Sequence, residues 1–153
     1  MQKYQIEIKN SDIDTIVMLS RQIPEFNNPH GPKEYKKRLI GVPHLIQVAY
    51  INDDLAGFKV GYEREDYFYS WMGAVLPSHR RMGVAEALAD AQEAFALAND
   101  YTEIRFRTRN GFSNMLRFGL KRGFQIIELE KRNRIDEHRI VLSKKVKGTK
   151  SPF

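Results

Sequence analysis

Apolar residues along the chain recur with two periods, and the switches between them outline alternating strands and helices. From Tyr4 to Ile8 apolar and polar positions alternate as on a strand. Ser11 then stands at a helix N-cap, with Asp12 and Asp14 suited to the positive helix end, and Ile13, Ile16, Val17 and Ser20 trace one helical face. Residues Pro24 to Pro32 break the pattern, and Pro32 opens a second short helix through Tyr35 and Leu39. Leu45 to Ile51 reads as a strand, Asn52-Asp53-Asp54 as a turn, and Phe58, Val60 and Tyr62 as one face of the returning strand. After a charged turn at Glu63 to Asp66, Tyr67 to Val75 is apolar on both faces, the pattern of a central buried strand.

A long helix follows, in which Val84, Leu88, Ala91, Phe95 and Ala98 form a buried stripe. In Glu103 to Arg109, Ile104, Phe106 and Thr108 alternate with Arg105, Arg107 and Arg109, giving a strand with one apolar and one basic face. Strand, helix and strand together predict a parallel crossover. A further helix, about Ser113 to Arg122, ends at Gly123 as a left-handed cap, and strands near Phe124 to Glu130 and His138 to Val146 complete a mixed sheet. The expected class is α+β, a mixed and mostly antiparallel sheet with one parallel β-α-β crossover and flanking helices.

Composition narrows the possibilities. A chain of 153 residues, 42% hydrophobic, without an internal linker, predicts one domain, with its core at about 4–146 and a basic tail at 147–153. No apolar run approaches the roughly 20 residues that span a bilayer, and the opening residues lack a signal-peptide pattern, so a cytoplasmic protein with no membrane partner is expected. Without cysteine there are no disulfides, thiolate ligands or thiol nucleophile. His30, His44 and His138 show no ligand spacing, and no metal is expected. Lys and Arg exceed Asp and Glu by 25 to 19, a net charge of +6 that favours an anionic partner: nucleic acid, a phosphorylated cofactor or an acidic substrate. Monomer and homodimer both remain open.

The chemistry concentrates where the central strand joins the long helix, through Val75-Leu76-Pro77 and Arg80-Arg81-Met82-Gly83-Val84-Ala85. The first amides of a helix lack intrahelical partners and carry the positive end of its dipole, so they donate to an anion. Gly83 clears their approach, Arg80 and Arg81 add charge, and His79 flanks the turn. The pattern is neither a P-loop nor the three-glycine dinucleotide fingerprint.

Val75-x-Pro77 followed by Arg80-x-x-Gly83-x-Ala85 resembles the signature of the GCN5-related N-acetyltransferase (GNAT) family. A second motif, the helix with Asn114-Met115-Leu116 leading to Gly123-Phe124, lies downstream as in that family, and the resemblance covers roughly Tyr4 to Val146. It implies acetyl coenzyme A as co-substrate, its pyrophosphate on the amides of Arg80 to Ala85 and its pantetheine arm between splayed parallel strands ending near Val75 and Thr108. It further implies that the Val75 N–H polarises the thioester carbonyl while an amine of a small molecule or peptide attacks directly. Asn110 and Asn114 either contact the pantetheine arm or an ordered water, or cap the following helix. Glu63 is a candidate base and Tyr69 a candidate acid; Glu25 and Tyr35 are candidates for the acceptor side. Many relatives place a tyrosine, as thiolate acid, where this chain has Gly119. The resemblance leaves open whether Tyr69 or solvent replaces it.

Two competing readings are a basic module that binds nucleic acid or the ribosome through Arg105, Arg107 and Arg109, and a transferase of another acyl group. Against the first, the only aromatic residue of that strand, Phe106, lies on the opposite face from the arginines.

Overall fold

The computed structural model describes residues 4–146; the basic tail expected at 147–153 lies outside them. Among the described residues, seven strands hydrogen-bond in the order β1-β2-β3-β4-β5-β7-β6, and four α-helices accompany them. The strands are β1 (Ile6–Asn10), β2 (His44–Ile51), β3 (Asp54–Arg64), β4 (Tyr67–Val75), β5 (Glu103–Arg109), β6 (Gln125–Glu130) and β7 (Arg139–Lys145). The helices are α1 (Ile13–Ser20), α2 (Pro32–Leu39), α3 (Val84–Ala98) and α4 (Ser113–Lys121). The mixed α/β class agrees with the sequence-based expectation. Two compact units emerge, one through Glu63 together with Trp71–Ala94, the other Arg64–Ser70 together with the chain from Phe95.

In the first unit, β1 and β2 are antiparallel, as are β2 and β3. Asn52 and Asp53 both adopt positive φ, 48° and 76°, which is why two Asx-type residues sit at this tight hairpin turn. The α1 N-cap is Asp12 rather than Ser11: its carboxylate accepts from Thr15 N–H at 2.9 Å. A carboxylate there also benefits from the helix dipole, which a serine hydroxyl does not. Pro32 opens α2 as expected, behind Gly31 as N-cap. Glu63 belongs to β3, where its N–H bonds to the Pro43 carbonyl at 2.9 Å, so the turn expected at Glu63 to Asp66 shrinks to Glu65-Asp66. Glu65 takes the positive φ, 49°.

Burial along β4 is uneven. Tyr67, Phe68 and Tyr69 are buried, but Ser70, Trp71, Met72, Ala74 and Val75 are half-buried and Gly73 is exposed. The expectation of a strand covered on both faces holds only for its first third. The α3 stripe also differs: Val84, Leu88, Gln92 and Ala96 are buried while Ala98 is exposed. With Ala89 also buried, the covered face is set by Val84, Leu88, Gln92 and Ala96, one residue on from the Ala91 and Phe95 positions of the expected stripe, both half-buried. Gln92, 2% exposed, is a polar residue that hydropathy alone did not place in the core.

In the second unit, the parallel crossover pairs Phe68 with Ile104 and Tyr69 with Arg105. β7 inserts between β5 and β6, antiparallel to both. On β5, Ile104, Phe106 and Thr108 are buried, as their alternation predicted. Gly123, at φ +96°, ends α4 in the left-handed conformation, with Phe124 N–H reaching the Gly119 carbonyl at 2.9 Å. Gly119 itself is buried. A Cβ there would lie 2.6 Å from Phe106 Cζ and 3.0 Å from its Cε1, so α4 packs on β5 at a distance only glycine permits. Among the described residues no helix is long and apolar enough to cross a membrane.

Candidate functional site

Just past the end of β4, Leu76 N–H bonds to the Ala56 carbonyl of β3 at 2.8 Å. Because successive peptide groups point to opposite sides of a strand, the N–H and carbonyl of Val75 face away from β3. The Val75 carbonyl is used by Arg80, whose Nε donates to it at 3.1 Å. This leaves the Val75 N–H directed outward beside it. Close packing fixes the strand end: a Cβ on Gly57 would meet the Ala74 carbonyl oxygen at 2.7 Å, Val84 Cγ1 at 3.2 Å and Val75 Cα at 3.3 Å.

Beyond Val75 the chain makes a 3-10 turn over Pro77–His79, then an extended Arg80 and two left-handed residues, Arg81 at φ +64° and Gly83 at φ +87°. Alternation of this kind turns successive N–H groups toward one side, the geometry of an anion-binding nest. The first backbone bond of α3 runs from Ala87 N–H to the Gly83 carbonyl at 3.0 Å, so the amides of Val84, Ala85 and Glu86 precede the helical ladder. Val84 is buried and Met82 half-buried against the cluster of Ala49, Ile51, Ala56 and Leu88, which anchors the turn from beneath. Gly83 and Ala85 are exposed above it. The nearest atom to a Cβ at Gly83, Ile6 Cδ1, is 3.6 Å away, so the positive φ, and not crowding from the protein, calls for glycine.

The two arginines of the turn differ. Arg80 points its guanidinium at Glu25 as a bidentate pair, with Nη1 to Oε2 at 3.0 Å and Nη2 to Oε1 at 2.9 Å. It therefore clamps the Glu25 segment to the end of β4. The hydrogen bond from Arg80 holds the Glu25 carboxyl below its ordinary range, and Glu25 raises Arg80 in return. Arg81 is exposed and makes no ion pair among the described residues. Of the sequence-predicted residues, Val75, Arg80, Arg81, Met82, Gly83, Val84, Ala85 and Glu25 thus come together.

Tyr35 is fully buried, 0% exposed, and burial pushes its phenol above its ordinary value. The aromatic surface over it is instead half-buried Trp71, 5.0 Å away between centroids, with His30 5.4 Å from Trp71. Arg38 lies 4.4 Å over the Trp71 ring and donates to Tyr62 Oη at 3.0 Å. Sequence reasoning missed this group because its members are far apart in the chain; the single tryptophan was the available signal.

In the second unit, neither asparagine caps α4. Phe112 holds the N-cap position without a side-chain bond. Asn110 Nδ2 donates to the Ile135 carbonyl at 3.2 Å, and Asn114 Oδ1 accepts from Arg117 at 3.2 Å, so the capping alternative is not realised. Tyr69 is buried beneath Arg64, whose guanidinium carbon is 4.9 Å from the ring centroid. The basic face of β5 is partly neutralised. Arg105 pairs with Glu103 at 2.6 Å and Arg107 with Glu130 at 3.1 Å, which weakens the nucleic-acid reading of this strand. Among the described residues no cluster of His, Asp or Glu is arranged to hold a metal ion.

No curated protein sequence matches the chain significantly. Among solved structures, the ribosomal-protein-S18-alanine N-acetyltransferase from Escherichia coli is similar at TM-score 0.82 and 13% identity, covering 97% of this chain and 99% of that one. Naa50 of Arabidopsis thaliana, in complex with the bisubstrate analogue CoA-Ac-MVNAL, matches at TM-score 0.74 and 18% identity over 91% and 97% of the two chains. A GNAT family acetyltransferase from Elizabethkingia anophelis with acetyl-CoA bound matches at TM-score 0.71 and 18% identity over 92% and 97%. At such identities the likeness is one of fold. The sequence model of the acetyltransferase (GNAT) family matches residues 14–124, most of the chain, and on that match the protein belongs to the GNAT acetyltransferase family.

Proposed function

We propose that this protein is an N-acetyltransferase, moving the acetyl group of acetyl coenzyme A to a primary amine by direct attack within a ternary complex. The observation that carries the reading is the turn before α3, where left-handed Arg81 and Gly83 lead into the amides of Val84, Ala85 and Glu86 ahead of the helical ladder. Those amides, with Arg81, would hold the pyrophosphate. When bound, the thioester supplies an activated acetyl group. The Val75 N–H, unused by β3, is the donor that stabilises negative charge on the carbonyl oxygen as the amine adds. Arg80 acts indirectly, fixing the Val75 peptide through its carbonyl and tying it to Glu25.

The acceptor is an amine of a small molecule or peptide. Trp71 and His30 offer it an aromatic wall, and Glu25, ionised at neutral pH, offers a carboxylate. For the proton steps, Glu63 on β3 is the candidate base and Tyr69 the candidate acid; Asn110 and Asn114 are candidates for the pantetheine arm. The position of the usual family tyrosine is closed by Phe106 at Gly119, which supports departure of the coenzyme A thiolate with Tyr69 or solvent as its acid. The family match runs through both compact units, which supports a single catalytic domain over 1–153. The absence of cysteine fits a reducing cytoplasm.

The test is thiol release from acetyl coenzyme A against a panel of amines, run beside calorimetric binding of coenzyme A. Binding followed by amine-dependent thiol release is expected. Binding with release from no amine would remove the transferase reading, and no binding at all would remove the cofactor reading.

A further inference from the structure

The basic face of β5 is neutralised unevenly, and the remainder gathers at one place in the second unit. Arg105 and Arg107 each meet a carboxylate, but Arg109, next on the same face, has no ion pair among the described residues: the Phe112 ring lies 5.7 Å from its guanidinium carbon, and Asp136, near enough to feel its charge, is itself paired with Arg134. Its direct cross-strand partner on β7 is another arginine, Arg139. Like charges held opposite each other on antiparallel strands repel, so this pair costs stability unless something neutralises it. The carboxylate on the same rung does not. Glu130 sits on the same rung, paired in register with Arg139, yet its oxygens go to Arg107 at 3.1 Å and Arg132 at 3.2 Å.

Arg109, Arg132 and Arg139 line a concavity of about 210 Å³, with Glu137 as its one carboxylate. The loop that carries Arg132 and Glu137 is braced against the end of β5. Asn110 N–H bonds to the His138 carbonyl and Gly111 N–H to the Asp136 carbonyl, both at 2.8 Å, while His138 Nδ1 accepts from Arg132 N–H at 2.9 Å. Gly111 permits the close approach, since a Cβ there would lie 3.1 Å from the Asp136 carbonyl oxygen. A preformed cavity avoids much of the ordering cost of binding.

We propose that Arg109, Arg132 and Arg139 form a binding site for the oxyanion of a small carboxylate- or phosphate-bearing ligand, built from residues other than those of the turn proposed for the coenzyme. Guanidinium groups suit such oxyanions because their planar fork donates two parallel hydrogen bonds. Arg139, half-buried and flanked by Arg109 across the ladder, is the centre of the site, and the bound anion supplies the charge that the arginine pair lacks.

The experiment is calorimetric titration of the full chain with citrate and with inorganic phosphate, at ionic strength held constant with sodium chloride, for the wild type, Arg139→Gln, Arg109→Gln and, as a control at the exposed C-cap of α1, Arg21→Gln. Citrate or phosphate binds the wild type and Arg21→Gln alike, and binding weakens about tenfold or more in the other two variants, as expected for loss of a charge-assisted bidentate contact. The tighter of the two probes identifies the ligand chemistry. In the absence of anion, Arg139→Gln melts no lower than the wild type, because a repulsion has been removed; this separates lost binding from lost folding. Coenzyme A affinity stays unchanged in Arg139→Gln, so failure here is distinct from failure of the acetyltransferase reading. The proposal is overturned if neither probe binds, if binding is indifferent to the substitutions, or if Arg139→Gln instead loses coenzyme A.

Discussion

Replacing Gly119 tests whether packing, rather than chance, explains the missing family tyrosine. In Gly119→Ala the new Cβ would sit 2.6 Å from Phe106 Cζ and 3.0 Å from Cε1, with Leu142 Cδ2 at 3.4 Å. Phe106 cannot easily withdraw, because it is buried and packed edge-on against Phe124 at 5.0 Å. Removing glycine from a helix interior gains about 1 kcal/mol, while overpacking a tight core costs about 1–3 kcal/mol. The net expectation is a loss of roughly 1 kcal/mol, which lowers Tm by about 2–4 °C in a chain of this size. Gly119→Tyr has no comparable outlet for its ring and should lose more than about 3 kcal/mol, leaving little folded protein. Thermal unfolding of Gly119→Ala, Phe106→Leu and the double variant measures the contact directly. A favourable coupling of about 0.5–3 kcal/mol is expected, since leucine gives up the offending ring edge. If Gly119→Ala is more stable than the wild type, or if Gly119→Tyr folds and releases thiol faster, the packing explanation is wrong.

Three further outcomes are expected. Arg80→Met should change Tm little, because an exposed ion pair contributes at most about 1 kcal/mol, yet it should weaken coenzyme A binding by loosening the Val75 peptide; a large Tm loss with intact affinity would reverse that assignment. The Glu25 carboxyl is depressed below its ordinary 4.5, so its pairing contribution is fully present above that pH and disappears only as pH falls through the lowered folded value. The Tm difference between the wild type and Glu25→Gln, followed against pH, should therefore be flat from neutrality to about 4.5 and close only below it, and a difference that closes near neutral pH would contradict the pairing. Gly57→Ala drives a Cβ to 2.7 Å from a backbone oxygen at the end of β4 and should cost about 1–3 kcal/mol together with coenzyme affinity, read by unfolding and calorimetry; unchanged values would show that β3 and β4 can separate there.

Elements whose signal is local were legible in the sequence. The alternation of Ile104, Phe106 and Thr108, the proline opening α2 and the glycine closing α4 each follow from backbone chemistry within a few residues, and the structure repeats them. The shape of the turn from Arg80 to Ala85 was legible for the same reason, since its left-handed glycine and its position between strand and helix are contiguous. Choices decided by distant neighbours were not. Asp12 displaced Ser11 as N-cap by a margin that propensity does not resolve, and Gln92 entered the core although its side chain is polar. The pairing of Arg80 with Glu25, 55 positions away, had no local signal. Gly119 read as a lost acid; its cause, the Phe106 ring, lies on another element. The insertion of β7 between β5 and β6 has no local signature, and so the pairing of Arg109 with Arg139 was hidden as well.

The central claim is that the turn from Arg80 to Ala85 holds the coenzyme by its backbone, and calorimetric titration of coenzyme A into the wild type and Gly83→Glu tests it most directly. Gly83 is exposed at positive φ with no protein atom closer than 3.6 Å to a Cβ, so the substituted side chain stands over the nest and sets a carboxylate against the phosphates. The account predicts that the variant stays folded, at a cost of about 1 kcal/mol for the strained φ, and loses measurable coenzyme A binding. Retention of wild-type affinity by a folded Gly83→Glu would contradict it.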